Sequence, residues 1–330
     1  MLHLLGALRP SGMERMLVSA APHWDTRLRH TLIGQGDIHP FRDTLESAGY
    51  RVLSIPSLRT RAGGHGLRQV IAAERPDVVH IHSEGASLRS ALSARHTALV
   101  MRTVHNVFPV RGRASWSRRA QAALGDSHVG KFVAPSPDVA ENERRIGRDP
   151  EVIYNWIADE FFTTEVSQGI GDYAVIVGNA SPIKNQALAL RALVELGIPV
   201  AHVGDLGRAS GEEIALLRAL ESRGLLLHSG PGDPIEWLPE AGAYLMPSRH
   251  EGMGVALAEA LALGIPALVG DTPGLRWARA LPGVSSLALE VAEWIEAIPR
   301  AFALGRDPQR EHPDFSARRG AREYGALYLT

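Results

Sequence analysis

The run Pro247-Ser248-Arg249-His250-Glu251-Gly252-Met253-Gly254-Val255-Ala256-Leu257-Ala258-Glu259-Ala260-Leu261-Ala262-Leu263-Gly264-Ile265-Pro266 decides how this chain is read. An apolar strand, Ala243–Met246, leads into it, and a second, Pro266–Gly270, leads out. Between them a glycine-broken turn opens a helical segment. The result is a strand–loop–helix–strand unit with its polar residues at the carboxyl end of a strand, where parallel α/β sheets bind ligands. Gly252 and Gly254 let a ligand approach the backbone. The helix start offers unpaired N–H groups to an anion.

Two carboxylates flank that start. Glu251 and Glu259, eight positions apart, are separated by at most about 12 Å along a helical rise. Carboxylates accept hydrogen bonds from paired hydroxyls. Their spacing suits a ribose at one end and a sugar at the other, with a diphosphate over the helix N-terminus between them. A capping Glu251 and a solvated Glu259 on an ordinary helix fit the same residues. The pair alone leaves both readings open.

Upstream, Val177-Gly178-Asn179-Ala180-Ser181-Pro182-Ile183-Lys184-Asn185 reads as a strand end, a loop, and a lysine just before a helix. Only two lysines occur, Lys131 and Lys184, so arginine supplies nearly every other basic side chain. A lysine at a helix start is mildly unfavourable with the helix dipole, yet it is a compact cation for phosphate oxygens.

The rest of the chain repeats this alternation. Strands are expected at Leu2–Leu5, Arg29–Ile33, Arg51–Ile55, Val78–Ile81, Ala98–Thr103 and Lys131–Ala134. Helices are expected at Pro40–Ala48, Gly66–Glu74, Leu88–Ala94 and Trp116–Leu124. After a polar, glycine-rich linker near residues 155–171, a second set follows, with strands at Ala174–Val177, Val200–Val203 and Leu225–His228. This order predicts an α/β protein with two parallel sheets, each covered by helices. The domains are set at 1–158 and 159–311, and 312–330 is an amphipathic tail with Tyr324 and Tyr328 as anchors.

Composition sets the outer limits. The chain has 330 residues, 45% hydrophobic and 22% charged, with a net charge of -1, ample for two cores and unsuited to bulk electrostatic binding of nucleic acid. Cysteine is absent, so thiolate metal sites and disulfides are excluded. No Asp-x-Asp pair and no His/Asp cluster at ligand spacing calls for a metal. Met1–Gly6 reads as a first strand and not as a signal peptide, and no apolar run reaches the roughly 20 residues that span a bilayer. A cytoplasmic location is expected. Arg111, Arg113, Arg118 and Arg119 around Trp116 form a basic segment that suits either an anionic lipid surface or a solvated helix face.

Three further loci carry possible chemistry. Ser11-Gly12 opens a helix after the first strand. His82 and His105 each end a strand at the carboxyl edge, whereas His80 is expected to face packing. An imidazole at His105 can bond a sugar hydroxyl or steer a proton.

Taken together, these residues resemble a retaining glycosyltransferase of family 4 with the GT-B fold. Glu251 and Glu259 resemble its Glu-x7-Glu motif within Pro-Ser-x-x-Glu-Gly-x-Gly. Pro76–His82 resembles its Pro-Asp-Val-Val-His-x-His strand, Val152–Asn155 its Val-Ile-x-Asn-Gly segment, and Ser11–Arg15 its Gly-Gly-x-Glu-Arg loop. The resemblance implies two Rossmann-like domains facing each other across a cleft, with the last helix crossing back to the first. It implies a nucleoside-diphosphate-sugar donor, a hydroxyl acceptor such as a glycan or lipid-linked sugar, no metal or other cofactor, and a place in cell-surface polysaccharide or glycolipid synthesis at the inner face of the membrane. His105 and Glu251 take the catalytic roles. Gly12, Asn179, Lys184, Gly252, Met253, Gly254, Val255 and Glu259 complete the donor site. Three positions depart from the pattern. Asn179 stands where the family has arginine, Trp156 where it has glycine, and Ser11 where it has the first glycine of the loop. A nucleotide-sugar epimerase, a sugar phosphorylase, and a non-catalytic subunit that kept the fold are the alternatives.

Overall fold

The structure, a computed structural model, describes residues 1–83, 87–97, 99–108, 113–166 and 168–330, and of residues 113–115, 117 and 121 only the backbone. Two compact units are present, Met1–Ala158 with Ser316–Thr330, and Asp159–Phe315.

The first unit is built on a seven-stranded parallel sheet. Its strands are β1 (Leu2–Leu4), β2 (Thr31–Gln35), β3 (Arg51–Ile55), β4 (Val78–Ile81), β5 (Leu99–Thr103), β6 (Lys131–Ala134) and β7 (Glu151–Val152), in the order β3-β2-β1-β4-β5-β6-β7. The second unit holds β8 (Ala174–Val177), β9 (Val200–Val203), β10 (Leu226–Gly230), β11 (Ala243–Met246), β12 (Ala267–Gly270) and β13 (Val284–Leu287), in the order β10-β9-β8-β11-β12-β13. Every pairing in both sheets is parallel. The inner strands are short apolar runs because helices cover both faces, as in β4 and β11, where every residue is buried. The strand order reverses between β1 and β4, and again between β8 and β11. At such a switch point the loops after the two strands part and leave a crevice.

Two expectations need correction. β13 was not foreseen, because Val284-Ser285-Ser286-Leu287 carries two serines where a buried strand is expected to be apolar. The helix expected from Gly66 begins five residues earlier and runs Arg61–Glu74. Thr60 caps it by accepting from the Gly63 N–H at 3.1 Å. Gly63 is a contact residue, since a Cβ there would lie 2.2 Å from the Ser57 carbonyl oxygen.

The last helix, Ala317–Tyr328, belongs to the first unit. The Tyr328 hydroxyl pairs with His80 Nδ1 at 2.7 Å, and the Tyr324 hydroxyl with Thr103 Oγ1 at 3.0 Å. Trp156 locks the other side. Its indole N–H donates to the Met16 carbonyl at 2.7 Å, and its ring fills the notch left by Gly320. A Cβ on Gly320 would stand 2.1 Å from the Trp156 ring. Replacing glycine by alanine inside a helix ordinarily stabilises by up to about 1 kcal/mol. Here the clash decides the sign. Gly320→Ala is expected to destabilise the protein by about 2–3 kcal/mol, read as a fall in Tm of roughly 5–10 °C by calorimetry. An unchanged or raised Tm would show that the notch is not filled.

Candidate active site

At the switch point of the second sheet, the loops after β8 and β11 meet. Lys184 Nζ and Glu251 Oε1 lie 2.7 Å apart, their side chains 29% and 10% exposed. Glu251 and Glu259 are both buried, as are Gly252, Met253 and Gly254, and Val255 is half-buried. Few carboxylates are buried without a purpose. The loops are bound to each other along their length. The Arg249 N–H donates to the Ile183 carbonyl at 2.8 Å, Asn185 Nδ2 to the Pro247 carbonyl at 3.2 Å, and Arg249 Nη2 to Asn185 Oδ1 at 3.0 Å.

Glycine is required where the chain turns. Gly254 has φ +79° and precedes the helix Val255–Ala262, whose free N–H groups open onto the loop. Gly274, at φ +91°, lies so close to the Glu251 backbone that a Cβ would sit 2.0 Å from its carbonyl oxygen. The Trp277 indole holds the Met253 carbonyl at 2.9 Å from the other side. Beneath the two glutamates, Tyr244 is fully buried. Burial, and then the charges of Glu251 and Glu259, drive its phenol well above the usual range, and among the described residues its hydroxyl has no hydrogen-bond partner.

Asn179 is exposed and turned to a local task, its Oδ1 accepting from the Asp205 N–H at 2.8 Å. The cation missing at that position has a neighbour that the sequence reading passed over. Arg249 is exposed and tied to Asn185, next to Lys184. Its only sequence signal is its place two residues before Glu251.

In the first unit, the switch point lies between β1 and β4. Gly12 is exposed at the start of the helix Gly12–Ala20, and Ser11 just before it turns its hydroxyl to the Glu14 carboxylate, donating to it and capping no backbone N–H. Burial holds the Glu14 carboxyl above its ordinary range, against the hydrogen bonds that lower it. Opposite stands a row of imidazoles. The register sets His3 of β1 beside His80 of β4, and residues two apart on a strand share a face, which brings in His82. His3 Nε2 meets His30 Nδ1 at 2.9 Å, His3 Nδ1 meets His82 Nε2 at 3.1 Å, and His82 Nδ1 meets His105 Nε2 at 3.3 Å.

Burial lowers the pKa of every ring in this row. His3 and His82 fall well below the usual value and His30 to about 4. His105 also falls to about 4, through burial and then the Arg102 charge. The rings are therefore neutral at pH 7. The pattern of nitrogens then permits only two arrangements, all four carrying the proton on Nε2 or all four on Nδ1. Long-range ¹H–¹⁵N spectra at pH 7 are expected to show one tautomer for all four, and mixed tautomers would break the chain.

His3, His80 and His82 each place a nitrogen within 4.8 Å of the others, close enough to suggest metal ligands. Both nitrogens of each ring are already engaged, those of His80 by Tyr328 and Thr103. The trio is a hydrogen-bonded core. His80 faces packing, as its place in the strand predicts.

The basic segment near Trp116 needs revision. Arg118 is not a free cation. It pairs with Glu143 and lies 4.6 Å from the centre of the Phe108 ring. Arg119 and Trp116 are exposed. Arg111 and the side chain of Arg113 lie outside the described residues.

Residues 2–161 match the family model for Glycosyltransferase Family 4, and residues 160–278 that for Glycosyl transferases group 1. The chain belongs to glycosyltransferase family 4. This glycosyltransferase is 26% identical to EpsF of Bacillus subtilis (strain 168) over 94% of this chain and 89% of the relative. Its fold is shared with a glycosyltransferase from Rickettsia africae ESF-5, at a TM-score of 0.79 and 16% identity, covering 99% of this chain and 97% of that one. Anabaena Alr3699/HepE, solved in complex with UDP and glucose, matches at a TM-score of 0.75 and 16% identity over 99% of this chain and 94% of that one. The glycosyltransferase thus has the GT-B fold, with two parallel α/β units. Among the described residues no helix is long and apolar enough to cross a membrane.

Proposed function

We propose that the glycosyltransferase takes a nucleoside-diphosphate sugar at the β8–β11 switch point and passes the sugar, with retention, to a hydroxyl acceptor. The observation that carries this reading is the Lys184–Glu251 pair at the mouth of a helix N-terminus. Lys184, Arg249 and the free N–H groups of the helix supply positive charge for a departing diphosphate, so the reading needs no metal. Glu251 and Glu259 take hydroxyls of the sugar and the ribose. Asn179 contributes a carboxamide where the family has a guanidinium, and Arg249 stands in for part of the lost charge. In the first unit, Gly12 gives its exposed helix start, and His105 contacts a sugar hydroxyl at the carboxyl edge.

The complex of HepE with UDP and glucose supports a uridine nucleotide as the first donor to try. The role is assigned to cell-surface polysaccharide or glycolipid assembly. Contact with an anionic inner-membrane face would rest on Arg119 and Trp116, since Arg118 is committed to Glu143. The test is a thermal-shift screen of nucleotide sugars, followed by product analysis with and without EDTA. Release of nucleoside diphosphate that depends on acceptor, persists in EDTA and yields a glycoside of the donor's anomeric configuration is expected. Conversion of donor alone would mean an epimerase, and an inverted product would overturn retention.

A further inference from the structure

The helices Arg61–Glu74 and Ser87–Ala94 enclose a groove of about 590 Å³ on the first unit, continued by Arg95. Among the described residues four arginines line it, Arg61, Arg68, Arg89 and Arg95, and no carboxylate does. Elsewhere in the chain many arginines have an acid, as in Arg42–Glu46, Arg51–Glu74 and Arg145–Glu141. Among the described residues none of these four is in a salt bridge.

The backbone brings two of them together. Gly64 presents no side chain, and a Cβ there would stand 3.3 Å from Arg89 Cδ and 3.9 Å from Arg68 Nη1. The stem of Arg89 therefore crosses the helix at the point where the Arg68 guanidinium ends. Arg89 Nη1 is shut off from solvent and, among the described residues, has no hydrogen-bond partner. A charged N–H without an acceptor is costly, and like charges at this range repel. Arg61 adds a cation in the first turn of a helix, where the dipole disfavours it. Leu92, 39% exposed, gives the groove an apolar wall.

We propose that this groove binds a small phosphate-bearing anion, with Arg68 and Arg89 as the fork that grips it. Guanidinium pairs meet phosphate oxygens in a planar, two-bonded fashion that a lysine does not reproduce. At least two negative charges on the ligand are needed to balance the converging cations. The site lies wholly in the first unit and is separate from Lys184 and Glu251, so it stands or falls apart from the donor reading.

Inorganic pyrophosphate is the probe, titrated by calorimetry into the Lys184→Ala/Arg249→Ala protein, which takes both side-chain cations from the second unit's phosphate locus. Binding is expected there, and expected to weaken by at least about tenfold, or 1.4 kcal/mol, in the added Arg68→Ala/Arg89→Ala pair. Arg68→Lys/Arg89→Lys, which keeps the charge, is expected to recover only part of it. Arg191→Ala, at an exposed ion pair of the second unit, is the control and should change nothing. Equal binding with and without Arg68 and Arg89 overturns the proposal. So does binding to phosphatidylglycerol vesicles with none to pyrophosphate, which would make the groove a lipid-facing patch.

Discussion

Replacing Lys184 by alanine is expected to lower kcat for glycosyl transfer by about 10²–10³-fold, with a much smaller change in KM. The proposed leaving group is a nucleoside diphosphate, whose charge grows as the bond to the sugar breaks. A cation fixed beside it acts on the transition state more than on the ground state. Lys184 is fixed by Glu251 at 2.7 Å. Glu251→Gln removes that partner and the carboxylate for the sugar hydroxyls, and is expected to cost a similar factor. Because the two groups touch, the double variant should lose much less than the product of the single losses. Arg249→Ala should cost about tenfold, in keeping with an exposed cation held by one bond to Asn185. Steady-state kinetics with the donor found by the thermal-shift screen reads all four. Full turnover in Lys184→Ala would remove the β8–β11 switch point from the reaction, whereas a pure KM effect would reduce it to binding.

Acid is expected to unfold the first unit between about pH 6.5 and pH 4. Its buried imidazoles, His3, His80 and His82, and its half-buried ones, His30 and His105, all have lowered pKa values, so the folded unit holds them neutral. The unfolded chain binds protons at about 6.5. Below that pH it takes up protons that the folded unit refuses, and stability falls with falling pH. The loss continues until the folded rings themselves protonate, at about 4 for His30 and His105. Each of those two costs no more than about 3.5 kcal/mol, and the other three act with the same sign. Glu14, raised by burial, works in the opposite direction, but it is one group against five. Against a total of about 5–15 kcal/mol, a cost of this size is enough to unfold the unit. Hydrogen exchange at β1 and β4 over this range should show protection vanishing. Protection that holds down to pH 4 would mean that the imidazoles find water or counter-charges as they protonate.

Much of this was readable from residues alone, for physical reasons. Strands buried on both faces must be continuous apolar runs, so β4, β8, β9 and β11 fell where their residues predict, and the partly buried β3 and β6 kept enough apolar residues to be placed as well. Loops at strand ends carry the chemistry, which made Lys184 and Glu251 conspicuous. What was hidden depends on register or on distant partners. His3 and His30 look like ordinary histidines until β1 is laid beside β4 and β2. Trp156 looks like a lapse from the family pattern until Gly320, far along the chain, is seen to make room for it. Arg118 reads as a surface cation, because its partner Glu143 lies on another helix. The glycines at 63 and 64 read as a loop, because their purpose is close approach by other backbone and side chains.

The last helix has a consequence for how the protein is made. The first unit needs Ser316–Thr330, and His80 waits for a hydroxyl 248 residues further on. A ribosome adding roughly 5–20 residues per second takes on the order of 10–30 s to pass from the end of the unit's first segment to Tyr328. Through that interval the nascent first half has an uncovered face at His80 and Thr103. The second unit, contiguous from Asp159 to Phe315, has all its residues earlier than the first has its own. Folding is expected to finish in the reverse of the order of synthesis, with the helix Ala317–Tyr328 closing the half of the protein that emerged first.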